Sequence, residues 1–291
     1  MIRRPQTGER ALTPSEWRPL ALAHAGRARA LTAAHVARRD RGEKHPLEDF
    51  LFEYYGFRPG QLARWHPGPG IGLVDADLAG ARFYRTDGNV TTLDVEAFRT
   101  ARGRGIDWVR QVLEGTASRE PDYTCFCLHE WAMVYGLKPE EVRHHALGLR
   151  ASADEVAKVV ESHEIRCSHY DAFRFFTADA RPLNTVQPLV ETQPEHEQPG
   201  CLHGGTMDLY RWAYKLSPAI PSELLLDAFE LAREARVLDM RSSPYDVRPF
   251  GLTNILIETA AGKAEHVALQ RGITERAKPL RERFLAILRL L

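Results

Sequence analysis

The chain has 291 residues, with 39 Lys and Arg against 39 Asp and Glu, 44% hydrophobic and 27% charged residues, and 4 cysteines. This is the composition of a globular protein with a real core; it excludes a disordered chain, a collagen-like repeat and a coiled-coil array, and the cysteines are too few for a secreted disulfide framework. No stretch approaches the roughly 18 apolar residues of a membrane span, and Arg3, Arg4 and Arg10 precede no apolar leader, so the expectation is a cytoplasmic protein with no membrane and no obligate protein partner.

The neutral total hides an uneven distribution: residues 1–45 carry a net +6, residues 263–291 a net +4, and the stretch between them −10. Either the ends form solvated helix faces, or they offer a basic surface to a polyanion.

In chain order, Thr13 to His45 is patterned as a helix, with Leu20, Leu22, Ala23, Ala30, Leu31 and Val36 on its apolar face and Ser15 as a possible cap. His45-Pro46 breaks it, and Leu47 to Phe57 follows as a buried, aromatic-rich helix. Residues 65–72, WHPGPGIG, form a loop, and FYRTDGNVTTL is a hairpin around Asp87-Gly88. Helical patterning returns at Asp94 to Leu113, Thr124 to Tyr135, a turn starting at Pro139 that leads to His144 and His145, and residues 152–162. Thr185 to Gly200 reads as an extended loop, of a length that is usually functional. Helices at about 207–215 and 221–240, a hairpin in NILIETAAGKAEHV and a closing helix from about Thr274 complete the chain. The expected fold class is mainly α, a single globular helical domain over 1–291 with small β-hairpins.

The common signatures are absent: there is no GxxxxGK[ST], GxSxG, HExxH or CxxC. Three of the four cysteines instead stand two residues before a histidine, as Cys127-Leu-His129, Cys167-Ser-His169 and Cys201-Leu-His203, far more often than 12 histidines in 291 residues would give by chance. Thiolate and imidazole are ligands that zinc or iron prefers, and on extended backbone i and i+2 share a face. Small buried cysteines beside hydrogen-bonded core histidines would produce the same strings.

Carboxylates sit among aromatics in the same stretches. His169-Tyr-Asp171-Ala-Phe173-Arg174 is one, and Asp208-Leu-Tyr210-Arg211-Trp212-Ala-Tyr214-Lys215 another, where helical spacing puts Asp208, Arg211 and Trp212 on one side. Glu130 adds a carboxylate beside His129. These are residue types that stack a planar base, read its edge and stabilise charge on a sugar as its bond breaks, although an aromatic stripe also serves as core.

The strings RGEKHPLEDFLFEYYGFRPGQLARWHPGPG (41–70), LHEWAMVYG (128–136), EIRCSHYDAFRFFTADARPLN (164–184), QPGCLHGGTMDLYRWAYKLSP (198–218) and LDMRSSPYDV (238–247) resemble those of an actinobacterial family known as 3-methyladenine DNA glycosylases. The resemblance spans nearly the whole chain and implies a monofunctional glycosylase that removes a modified base from double-stranded DNA without a cofactor. Pro67-Gly68-Pro69-Gly70-Ile71-Gly72 only faintly echoes a helix-hairpin-helix motif, so no catalytic residue carries over by position.

The leading expectation is therefore an N-glycosylase. Asp208, Asp171, His169 and Glu130 are its catalytic candidates; Tyr54, Tyr55, Phe173, His203, Tyr210 and Trp212 surround the base; Arg3, Arg4, Lys44, Arg58, Arg174, Arg211 and Lys215 hold the DNA phosphates. The rival is a metal-dependent hydrolase or oxygenase acting on a small molecule, built on His169, Asp171 and His203 with the cysteines nearby.

Overall fold

The computed structural model describes residues 10–78, 81–142 and 147–291. Arg3, Arg4, His144 and His145 lie outside them.

A short strand, β1 (Arg10–Leu12), leads into α1 (Pro14–Asp40). Pro14 opens the helix where its missing N–H costs nothing, and the cap is Thr13 rather than Ser15: the Glu16 carboxylate accepts from the Thr13 amide at 2.8 Å. The buried stripe of α1 is His24, Ala28 and Thr32, at helical spacing of four, while Leu20 and Leu22 face solvent. His24 decides this, because its Nε2 meets the Leu62 carbonyl at 2.9 Å in the one-turn helix α3 (Pro59–Leu62). The segment read as one helix over Leu47 to Phe57 holds a single turn, α2 (Phe50–Glu53), since its rings pack on one another rather than along one face: Phe50 stacks on Tyr54 at 5.1 Å.

Strands β2 (Ile71–Val74), β3 (Tyr84–Asp87) and β4 (Val90–Leu93) form with β1 a small sheet of order β1-β2-β4-β3. The hairpin around Asp87-Gly88 is β3–β4, and β1 pairs parallel to β2, with Leu12 opposite Leu73. The sheet lies at the chain's beginning; everything chemical lies in the helices that follow.

Helix α4 (Val95–Ala117) runs a turn beyond its expected end, its Asp94 side chain capping the Ala97 amide at 2.9 Å. Short helices α5 (Leu128–Ala132), α6 (Ala153–Glu161), α7 (Tyr170–Phe173) and α8 (Gln193–His196) are joined by irregular chain to a π-helix (Leu202–Met207), which continues directly into α9 (Asp208–Lys215). Helix α10 (Ser222–Arg241) buries residues around most of its circumference, from Leu224 to Met240, and is the central pillar.

The hairpin expected in residues 254–267 does not form. Thr259 caps α11 (Ala260–Leu288) by accepting from the Gly262 amide at 3.0 Å, and the Ala-rich sequence that follows propagates as helix. The result is the expected mainly α architecture with small β elements, packed on one cluster of buried side chains that includes Trp131, Tyr210, Phe229 and Phe284. No helix among the described residues is long and apolar enough to cross a membrane.

Candidate metal centre

Four separate stretches of chain deliver histidines and carboxylates to one buried place. Phe126 and Cys127, both left-handed at φ 46° and 58°, turn the chain sharply into α5, which carries His129 and Glu130. Non-glycine residues hold that conformation only where surrounding structure enforces it. His169 caps α7, and the strand-like backbone before it is held by Asn184, whose amide accepts from the Cys167 N–H at 2.8 Å and donates to the Cys167 carbonyl at 3.0 Å. His203 sits in the π-helix, Asp208 opens α9, Glu197 lies in the chain leading to the π-helix, and Asp239 is on α10.

These residues form two adjoining triads, His129, His203 and Asp239, and His169, Glu197 and Asp208, each with its ligand-type atoms within 4.8 Å of one another. In the first, His129 Nε2 is 3.0 Å from Asp239 Oδ1 and His203 Nε2 is 3.3 Å from Asp239 Oδ2. In the second, His169 Nε2 is 3.1 Å from Asp208 Oδ2 and 3.9 Å from Glu197 Oε2. The imidazoles join the triads, with ring centres 4.7 Å apart for His129 and His203 and 5.3 Å for His169 and His203. His129 Nε2 and Asp239 Oδ1 approach to 3.0 Å as an ion pair, out of the alignment of a good hydrogen bond. Two atoms aimed at a common point rather than at each other behave this way: ligands about 2.1 Å from an ion are about 3.0 to 3.4 Å apart in octahedral or tetrahedral arrangement.

Supporting contacts fix the donors. Arg236 on α10 donates to Glu130 at 2.9 Å and to Asp239 at 2.7 Å while its guanidinium covers the Phe50 ring. Ser168 donates to Glu197 at 3.2 Å, and the Gln193 amide reaches both Glu197, at 3.3 Å, and Asp208, at 3.4 Å. Gly204 and Gly205 are required by close approach: a methyl on Gly204 would overlap the Glu197 carboxylate, and one on Gly205 the Pro199 carbonyl. Helix α11 braces the same turn, with Arg281 donating to the Gly205 carbonyl at 2.6 Å and Gln270 to the Gly200 carbonyl at 2.7 Å. A π-turn of this kind is a feature that functional sites retain despite its poorer hydrogen bonding.

The electrostatics couple these groups tightly to one another. Burial pushes the Asp208 carboxyl up, but His169 and Arg211 outweigh it and hold it at about 2. Asp239 likewise lies well below the carboxylate range, burial being overcome by His129 and His203, whereas burial beside Asp208 raises Glu197. Burial opposes the charged form of His129 and His169, yet Asp239 and Asp208 respectively raise them; His203, between the other two rings, is lowered, chiefly by burial. Arg236 is shared by Glu130 and Asp239, and Arg211 by Asp171 and Asp208, so each guanidinium answers two carboxylates. The Glu197 carboxylate pairs only with the His169 ring among cationic side chains of the described residues. The cluster is short of positive charge unless its imidazoles are protonated or a cation is bound, and uncompensated buried charge costs several kcal/mol.

Several expected site residues converge here and others do not. Asp208, His169, His203 and Glu130 belong to the cluster. Asp171, expected beside His169 as a ligand, is instead claimed by Arg211 and by Arg174 at 3.0 Å, so the carboxylate facing His169 is Asp208. Tyr210 is wholly buried and packs edge-on against Tyr55 at 5.8 Å; Phe173 packs on Phe176 at 5.2 Å; these are core contacts. Tyr54 lies near the surface and accepts from Arg174 at 3.1 Å. Lys44 pairs with Glu53, Arg58 is exposed, and Lys215 lies over the Trp212 ring. Sequence reasoning missed Glu197 and Asp239 as site residues: Glu197 stands in no motif, and Asp239, in the string LDMRSSPYDV, has no histidine or cysteine near it in the chain.

The Cys-x-His repetition does mark the place. All three of its histidines, with Cys125, Cys127, Cys167 and Cys201, line one small cavity of about 20 Å³, room for about one water or ion. The thiols of Cys127, Cys167 and Cys201 are pushed up by burial and line the cavity without joining either triad.

A second cavity, of about 470 Å³, adjoins the cluster between α4 and α9, with Arg102, Trp108, Arg211, Trp212 and Lys215 in its wall. No protein-family model, curated protein or solved structure matches this chain.

Proposed function

We propose that the protein is a metal-dependent enzyme acting on a small molecule, a hydrolase or oxygenase whose centre is built from His129, His203 and Asp239 and from His169, Glu197 and Asp208. The observation that carries the reading is the pair of adjoining buried triads, in which imidazole and carboxylate atoms stand at ligand-to-ligand separations, His129 Nε2 and Asp239 Oδ1 being 3.0 Å apart and poorly aligned for a hydrogen bond. The donor set suits zinc, manganese or iron(II), and the first triad has the two-histidine, one-carboxylate composition associated with iron(II). Bound ions would supply Lewis acidity and acidified water, or redox chemistry if iron is present. The chain's own residues align the donors in a buried site, where His129 and His169 would give up their protons on taking up an ion: Arg236 orients Asp239 and Glu130, and Gln193 orients Glu197 and Asp208.

The test is a panel of phosphoesters, amides and esters for hydrolysis, and oxygen consumption in the presence of iron(II), each with and without EDTA. Activity lost to chelator and restored by one of Zn²⁺, Mn²⁺ or Fe²⁺ supports the reading, and activity indifferent to chelator contradicts it.

Base excision is the second reading, and one observation favours it: the cavity beside Asp171 and Arg211 offers the indoles of Trp108 and Trp212 as a stacking platform for an extruded base. It predicts abasic sites in DNA carrying modified bases, formed in the presence of EDTA and abolished by Asp208→Asn or Asp171→Asn.

A further inference from the structure

The 470 Å³ cavity has a composition that selects its ligand. Helix α4 contributes Arg102 and Trp108, and α9 contributes Arg211, Trp212 and Lys215. Arg211 is answered by Asp171, but neither Arg102 nor Lys215 has a carboxylate partner among the described residues. The guanidinium of Arg211 lies 4.8 Å from the centre of the Trp212 ring and the Lys215 ammonium 5.2 Å from it, so cationic charge is held against an aromatic plane. Trp212 is 5% exposed and its Nε1–H is buried without an acceptor, so this indole forms the floor beneath Arg211 and Lys215. Gln193 lines the cavity and donates to both Asp208 and Glu197, so a single side chain separates this space from the second triad.

We propose that this cavity binds the enzyme's substrate as a planar ring carrying a phosphate or carboxylate, the ring lying against the partly exposed Trp108 and the anion on Arg102 and Lys215. A neutral ring would leave the two exposed cations to solvent alone, and a bare anion would leave the Trp108 indole uncovered. The volume lies within the range of small-molecule sites. That the ligand is a substrate rests on the metal-dependent reading; that it binds does not, and can be measured on metal-stripped protein.

The experiment is calorimetry and tryptophan quenching on the full chain, metal-loaded and metal-stripped. The probes are AMP, dTMP and indole-3-acetate, with adenosine, thymidine, indole and inorganic phosphate as controls. At least one ring acid should bind tenfold or more tightly than its neutral parent and than phosphate. Lys215→Gln and Arg102→Gln, both surface substitutions, should each weaken it about fivefold or more by removing one charge contact, with metal content unchanged. A single-stranded oligonucleotide that binds more tightly than dTMP, with the same sensitivity to Lys215→Gln, would support the ring-acid chemistry and identify its source as an unstacked nucleotide. Equal binding of acid and neutral parent, no binding of any ring acid, or indifference to both substitutions would overturn the proposal. Ring-acid binding by a protein that takes up no metal on titration would uphold the binding site and overturn only the metal-dependent reading.

Discussion

Gly204 is the residue on which the second triad turns. Its missing side chain is the space that the Glu197 carboxylate occupies, so Gly204→Ala must displace Glu197 or distort the π-helix. The expected result is a loss of about 1–3 kcal/mol, the usual cost of overpacking, together with a fall of tenfold or more in metal affinity. Urea titration and metal titration of the variant check both, and wild-type values in each would contradict the placement of Glu197.

His66 gives a pH prediction at the same scale. Burial, with Arg64 and His24 adding repulsion, pushes its imidazole down to about 4. A group whose folded pKa is depressed stabilises the fold above its ordinary value near 6.5 and loses that contribution as pH falls toward 4. The loss is on the order of 2–3 kcal/mol, and it should be smaller in His66→Gln when urea midpoints are compared at pH 7 and pH 4. Identical pH slopes would contradict it.

Residue by residue, the sequence was informative where composition was improbable. The threefold Cys-x-His spacing located His129, His169 and His203, all of which reach the cluster. It did not assign partners, because Asp171 stands two residues from His169 in the chain whereas Asp208, its actual neighbour, is 39 positions away. Glu197 and Asp239 were illegible because an isolated acid in a loop or on a helix has the pattern of a solvated surface residue until tertiary structure buries it.

At the scale of elements, the most consequential difference is α11. Residues 254–267 alternate enough to suggest a hairpin, but a capping threonine followed by strong helix formers decides for helix, and that helix carries His266, Gln270 and Arg281 to the back of the site. The π-helix was invisible for a related reason: the His-Gly-Gly string shows that backbone must approach backbone, not which turn results. Two buried arginines hold these elements. Arg281→Met would leave the Gly205 carbonyl unsatisfied, at a cost of about 1–3 kcal/mol. Arg236→Met would take from Glu130 its guanidinium partner and leave Asp239 with His129 and His203 alone, at about 3–5 kcal/mol. On the metal-centre proposal a cation would bind beside Asp239, so added metal should rescue Arg236→Met more than Arg281→Met. Thermal melts with and without Mn²⁺ distinguish them, and equal rescue would contradict the assignment of Asp239 as a ligand.

Across the described residues, part of the charge asymmetry is answered internally. Arg27 of α1 pairs with Asp227 and Glu230 of α10; Arg276 and Arg283 of α11 pair with Glu234 and Asp227 of the same helix. Arg38 similarly meets Glu48 and Asp49. The basic ends thus flank the acidic middle and clamp the pillar that carries Arg236 and Asp239. Fold class was legible because long helices leave strong periodic patterns; the assembly of the centre was not, since it depends on contacts between residues as far apart as His129 and Asp239.

Elemental analysis of the full chain purified without chelator shows whether the cluster holds metal. One to two equivalents of zinc, manganese or iron per chain are expected, falling by at least half in Asp239→Asn and in His169→Ala. Readdition of the ion at about 100 times its Kd should stabilise stripped protein by about 2.7 kcal/mol. Protein that holds no transition metal, binds none on titration and melts identically in EDTA would contradict the account.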